Sequence, residues 1–203
     1  MNKQQFLFNL FRVIETGDGN DVRICIMEGI KNFEEQLDLS TRYLKNNKNI
    51  LDYQDETGKT PLMRAAELGK ADVVDLIIQY GANVNLADNK GRTALIYAAK
   101  YGHKEVVETL VKNKAELDAV TIHKHSALHY TALYNQVEVA AILAKNGANT
   151  NLRDDRGKYP FMLNNSEEFK RAVIEASMVY FNKRVKKVKN KALMEDKKRR
   201  GLL

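Results

Sequence analysis

Phe6, Leu7, Leu10, Phe11 and Ile14 recur three and four residues apart and predict an amphipathic helix near the start of the chain. Gly17-Asp18-Gly19-Asn20 breaks that pattern, and Asp21 is placed to start a second helix through Val22, Ile24, Cys25 and Ile26. A third helix is expected at about 39–46. Farther along, Val73-Val74, Val106-Val107 and Val139-Ala140 each open an apolar helical stretch. Asn165 with Glu168 three residues on has the form of a helix start. Phe169, Val173, Tyr180 and Val188 then predict a helix that leaves the preceding array. Phe181, Val185, Val188 and Ala192 are spaced by 4, 3 and 4 residues, so that helix carries a narrow apolar stripe.

The valine pairs belong to a longer repeat. Gly58-Lys59-Thr60-Pro61-Leu62 recurs 33 residues later as Gly91-Arg92-Thr93-Ala94-Leu95. The same interval then gives Lys124-His125-Ser126-Ala127-Leu128 and Gly157-Lys158-Tyr159-Pro160-Phe161. Gly81-Ala82-Asn83-Val84-Asn85 likewise matches Lys114-Ala115-Glu116-Leu117-Asp118 and Gly147-Ala148-Asn149-Thr150-Asn151. Thr60 can cap a helix through its hydroxyl, and Pro61 suits the first helical position. Ala65 and Ala66 are small enough to let helices approach closely. Gly69 and Gly102 end one helix of the unit, with Asn135 in their place in the third copy. Lys114 stands where Gly81 and Gly147 end the other helix, and is expected to cost stability there. The turns Asp55-Glu56-Thr57-Gly58, Asp88-Asn89-Lys90-Gly91 and Asp154-Asp155-Arg156-Gly157 contrast with Thr121-Ile122-His123-Lys124, which lacks both the Asp and the Gly. That turn is either strained or shaped differently to suit a ligand.

Thr60-Pro61-Leu62-Met63-Arg64-Ala65-Ala66 resembles the Thr-Pro-Leu-His-x-Ala signature of the ankyrin-repeat family. The resemblance is strong from Leu51 to about Phe161 and weak over the first fifty residues. It implies an all-α solenoid of about four units, with short β-hairpin fingers and helical caps. The expected organisation is a helical cap or degenerate repeat over 1–50, repeats over 51–168 and a basic helix or tail over 169–203.

The charge is uneven. The chain carries +7 overall, with 33 Lys and Arg against 26 Asp and Glu. Residues 170–203 hold 12 of those bases and 3 of the acids, a local +9, which leaves the body at −2. The body is therefore not a general polyanion binder. Lys183, Arg184, Lys186 and Lys187, with Lys197, Lys198, Arg199 and Arg200, form two basic runs in the tail. Four readings of the tail stay open: a solvated tail, phosphate contact with nucleic acid, a nuclear-import signal, and adsorption to an anionic membrane. No apolar run approaches the ~20 residues needed to cross a bilayer, and no signal peptide is expected. A single cysteine, Cys25, excludes an internal disulfide and reads as a buried apolar residue. The expectation is a cytoplasmic protein, or a nuclear one in a eukaryotic cell.

Catalytic chemistry is not expected. No phosphate-binding loop, nucleophile elbow or His-Glu-x-x-His motif occurs. Asp18-Gly19-Asn20-Asp21 lacks the ligand spacing of a calcium loop. His123, His125 and His129 cluster, but no fourth ligand is evident and no metal site or cofactor is assigned. The ankyrin resemblance accounts for His129, which takes the place of the signature His.

Binding is the better expectation. In the resembled family, partners dock on the finger tips and on the concave face made by the first helices. Leu68, Tyr101 and Tyr134 share one register there, and Arg64, Tyr97 and Tyr130 stand four residues before them on the same helix face. Tyr97, Tyr101, Tyr130 and Tyr134 are expected to form a two-by-two patch, unless Tyr97 and Tyr130 serve as half-buried spacers. Arg92, Lys124 and Arg156 are expected to steer charge. The expected partner is a protein with an acidic surface, bound by a monomer.

Overall fold

The computed structural model describes residues 3–36 and 50–199. Helices α1 (Lys3–Thr16) and α2 (Gly19–Gln36) come first. Three helix pairs follow: α3 (Pro61–Glu67) with α4 (Ala71–Gln79), α5 (Ala94–Tyr101) with α6 (Lys104–Lys112), and α7 (Ala127–Leu133) with α8 (Val137–Lys145). A 3-10 turn at Pro160–Met162 leads to the long α9 (Glu167–Arg199). The helix expected at 39–46 and the last basic residue, Arg200, lie outside the described residues.

Helices α3 to α8, seven to nine residues each, do not persist alone in water, so their stability comes from stacking. Odd-numbered α1, α3, α5 and α7 pack side by side in one row, and α2, α4, α6 and α8 in a second. Helix α9 closes the second row against α8. Between the rows Ala65, Ala66, Ala98 and Ala99 are buried, their small side chains allowing the close approach. Thr131 occupies the equivalent place in α7, and its hydroxyl donates to the Leu128 carbonyl at 2.8 Å, so the buried polar group is satisfied.

The 33-residue period is also a period of hydrogen bonds. The Asp52, Asn85 and Asp118 side chains accept from the backbone N–H of Asn83, Glu116 and Asn149, at 2.7, 2.8 and 2.8 Å. Lys70, His103 and Gln136 share another register, each reaching a carbonyl at or next to the end of the odd-numbered helix before it. Lys70 donates to Gly17, His103 to Glu67 at 3.0 Å, and Gln136 to Lys100. Asn164 does the same for α7, donating to Ala132 at 3.0 Å from a buried position. Neighbouring finger turns are tied by one backbone bond each, Asn89 to Thr57, Ile122 to Lys90 and Asp155 to His123, at 3.1, 3.1 and 3.2 Å. Within the fingers, the β pairing among the described residues is two isolated bridges, Ala87 with Thr93 and Val120 with Ser126.

Thr60 caps α3 as expected and Thr93 caps α5 in the same way, their hydroxyls accepting from Met63 and Ile96 at 3.2 and 3.4 Å. The third finger keeps the shape of its neighbours. Thr121 donates to the His125 carbonyl and Lys124 to the Thr121 carbonyl, as Asp88 and Gly91 do with Arg92 and Asp88. Lys124 takes the glycine place at φ +58°, so the departure is absorbed as backbone strain. Lys114 and Asn135 are left-handed too, at +63° and +53°.

Two helix starts differ from expectation. Helix α2 begins at Gly19 because Asp18, not Asp21, caps it: its carboxylate accepts from Asn20 and Asp21 at 2.8 and 3.0 Å. Helix α9 begins at Glu167 because Ser166 accepts from the Phe169 N–H at 3.3 Å. Phe169 and Val173 are buried against the repeat body, so α9 leaves the array only after its first turns have joined the core.

Candidate functional site

The row of odd-numbered helices presents one side-chain face beside the finger turns. At its N-terminal end Arg64 bridges Glu15 of α1 and Glu67 of its own helix, and Lys59 joins Glu67 at 2.8 Å. Burial would lift the Glu67 carboxyl, but the hydrogen bonds from Lys59 and Arg64 hold it below its ordinary value. A cleft of about 880 Å³ opens there between α1 and the first finger, with Phe8 and Phe11 on one wall.

The middle of the face is organised around Tyr97. This residue is 2% exposed, and its hydroxyl donates to Asp88 Oδ2 at 2.8 Å. Lys59 and Arg92 both sit 4.8 Å from its ring centroid. Burial, then the Asp88 bond, raises the Tyr97 pKa. Arg92 in turn donates to Asp88 Oδ2 from Nε at 2.7 Å. Burial alone would raise the Asp88 pKa; the bonds from Arg92, Tyr97 and Lys90 lower it instead. Two expectations are corrected here. Tyr97 is a core residue and offers no surface to a partner. Arg92 is committed to Asp88, so its charge is neutralised within its own finger.

The exposed part of the face is the last turn of each odd helix. Leu68 and Tyr134 are the C-caps of α3 and α7, and Tyr101 is the last residue of α5. Tyr101 and Tyr134 are 44% and 49% exposed, and Leu68 is exposed beside them. Tyr130 is half-buried and stacks on Tyr134, with centroids 6.3 Å apart and planes 11° apart. Lys100, which the sequence reading missed, lies 4.8 Å from the Tyr101 centroid and 5.3 Å from that of Tyr134. The four expected tyrosines therefore become a surface of three with a cation set between two of them. Leu133 at the end of α7 and Ile122 on the third finger are exposed apolar residues that were also missed. The signal for Ile122 was an apolar residue at a turn position; Leu133, inside a helix, gave none.

Of the steering cations, Lys124 and Arg156 are exposed on the finger turns. In the third finger His129 caps Ser126. Its Nδ1 accepts from the Ser126 N–H at 3.1 Å and from the hydroxyl at 2.9 Å, and Nε2 faces the Lys158 carbonyl at 3.3 Å. A backbone N–H can only donate, so the imidazole is neutral with its proton on Nε2. Burial pulls its pKa down, against a smaller upward pull from the Lys158 carbonyl.

On α9, Lys183, Arg184, Lys186, Lys187, Lys198 and Arg199 are exposed, and Lys197 lies on the same helix. Lys183, Arg184, Lys187 and Lys191 share a groove of about 450 Å³ with Lys145 and Tyr180. No described helix is long and apolar enough to cross a membrane.

No curated protein matches the chain. A family model described as ankyrin repeats (3 copies) matches residues 26–121 and 82–154, together well over half of the 203 residues. The helix pairs, finger turns and 33-residue bond register are what such a match requires, and the chain belongs to the ankyrin-repeat family.

Proposed function

We propose that the chain is a non-enzymatic scaffold that binds a protein partner across Leu68, Tyr101, Tyr130 and Tyr134 and the adjoining finger turns. Ankyrin repeats are generally protein–protein interaction modules and typically lack catalytic activity. The observation that carries the finer reading is the exposed Tyr101–Lys100–Tyr134 array. Tyrosine buries a large area at low entropy cost and keeps a hydroxyl for the partner. Lys100, Lys124 and Arg156 favour an acidic partner surface. The rigid stack presents this surface preformed, which lowers the ordering cost of association.

In this reading residues 51–168 are the repeat body of about four units, with hairpin-like fingers. Residues 1–50 are a helical N-terminal cap or a degenerate repeat, the family match starting at residue 26, and 169–203 an appendage anchored at its start. The scaffold acts as a monomer, in the cytoplasm or, in a eukaryotic cell, in the nucleus. Replacing Tyr101 and Tyr134 by Ala tests the surface, since both are exposed and the fold does not rest on them. Each is expected to cost about 1–3 kcal/mol of binding. Undiminished partner capture by the folded double variant contradicts the reading.

A second reading rests on the groove lined by Lys145, Lys183, Arg184, Lys187 and Lys191. Five cations along one groove suit a polyanion such as nucleic acid, held by phosphate contacts without sequence preference. Retention of a mixed-sequence oligonucleotide by the intact chain, lost on replacing Lys183, Arg184 and Lys187 by Gln, supports it. Retention that survives those changes removes it.

A further inference from the structure

The third and fourth fingers carry a cluster that the protein-binding reading does not use. In three finger turns an aspartate organises the backbone: Asp55, Asp88 and Asp154 each accept from N–H groups two and four residues on. In the third finger the Thr121 hydroxyl accepts from the His125 N–H, at 3.2 Å, and supplies no carboxylate. Position 125 is also the place of Arg92, whose countercharge is the aspartate of its own finger. With that aspartate absent, His125 turns to the next finger. Its Nε2 faces Asp154 Oδ2 at 3.4 Å, while Asp154 Oδ1 is held by Arg156 and Lys158 at 2.9 and 2.7 Å. Beside it His123 Nδ1 lies 3.1 Å from Asp155 Oδ2.

One imidazole and two carboxylates thus converge from adjacent turns, with His123 beside them on Asp155, and the Asp155-to-His123 backbone bond ties the two turns together. Ligand atoms of His125, Asp154 and Asp155 all lie within 4.8 Å of one another. A tetrahedral zinc ion with bonds of about 2.0–2.2 Å holds its ligand atoms roughly 3.3–3.6 Å apart. The His125–Asp154 separation already meets that spacing. Asp155 and His123 are exposed, so packing does not hold their side chains in one place. The less mobile pair is supported from behind: Asp154 by its two backbone donors, and the His125 ring by His129 and, edge-on, Tyr130. Imidazole nitrogen selects a zinc-type dication over calcium or magnesium, which take oxygen ligands.

We propose that His125, Asp154 and Asp155, with His123 completing the set, bind one zinc-type dication that clasps the third finger to the fourth. The sequence shows the histidines but hides the carboxylates, which stand about thirty residues farther on and meet them only through the repeat stack.

The test uses the intact chain, stripped with a chelator and titrated with zinc chloride by calorimetry. A parallel titration with cobalt(II) follows visible absorption, which marks a tetrahedral site. The expected result is one ion per chain at micromolar zinc and a higher melting temperature. His125→Ala and Asp155→Asn are each expected to weaken binding at least tenfold, while Cys25→Ser leaves it unchanged. Should His125→Ala lower the metal-free melting temperature, His123→Ala with Asp155→Asn at the exposed tips serves instead. No binding at micromolar zinc, or binding that these variants do not weaken, overturns the proposal. The readout is metal uptake by the chain alone, so it stands or falls independently of any protein partner.

Discussion

Tyr97 and Tyr130 occupy the same place in successive repeats, yet one is buried and the other half-exposed. The difference lies nine residues earlier. Tyr97 meets Asp88 there and is drawn into a buried hydrogen bond with Arg92 alongside. Tyr130 meets Thr121, which offers no carboxylate. Which tyrosine faces a partner was therefore not legible from register alone. Tyr97→Phe should cost about 1 kcal/mol by losing one buried hydrogen bond, and Tyr97→Ala about 3–5 kcal/mol by opening a cavity, both read by urea unfolding. The left-handed lysines give a prediction of opposite sign. Lys114→Gly and Lys124→Gly relieve a strain of about 1–2 kcal/mol, partly offset by glycine's greater freedom when unfolded, so each should stabilise by up to about 1 kcal/mol. His129 makes stability depend on pH. Well above 6.5, the ordinary imidazole value, both folded and unfolded chains hold it neutral. As pH falls below 6.5 the unfolded chain takes up a proton that the buried ring refuses, so stability falls until the lowered folded pKa is passed. Melting temperature should drop through that window, and His129→Gln should remove this part of the slope.

At the scale of elements, most of what the sequence predicts is found, because it rests on short-range chemistry. A Thr cap, a Pro at the first helical position and apolar residues at helical spacing act within one or two turns. The caps of α2 and α9 were misplaced by three residues and by one, because Asp18 and Ser166 compete with neighbours that look equally able to cap. The larger surprise is α9. Its basic composition marks it as a departing tail, yet Phe169 and Val173 bury against the body and Tyr180 packs over Gly147. A chain ending at residue 166 should therefore lose stability, since burying one Phe is worth about 1.5–3 kcal/mol. A chain ending at residue 190 keeps those contacts and should melt where the full chain does. Equal melting of all three chains contradicts the anchoring role given to the first turns of α9.

Across the whole molecule, repetition is what made the fold readable. Each unit docks on the last through the same few bonds, so a 33-residue period in sequence becomes a period in space. The face between units is less readable, because Lys100 joins Tyr101 to Tyr134 of the next repeat only once the helices are stacked. That composite face is the centre of the account. Its most direct measurement is a quantitative capture from nuclease-treated cell lysate, comparing the full chain with its Tyr101→Ala/Tyr134→Ala variant after both are shown to melt at the same temperature. Proteins retained by the parent and reduced at least tenfold on the variant are the predicted result, corresponding to a loss of about 1.4 kcal/mol or more. Equal retention of the same proteins by both would contradict the assignment of binding to this face.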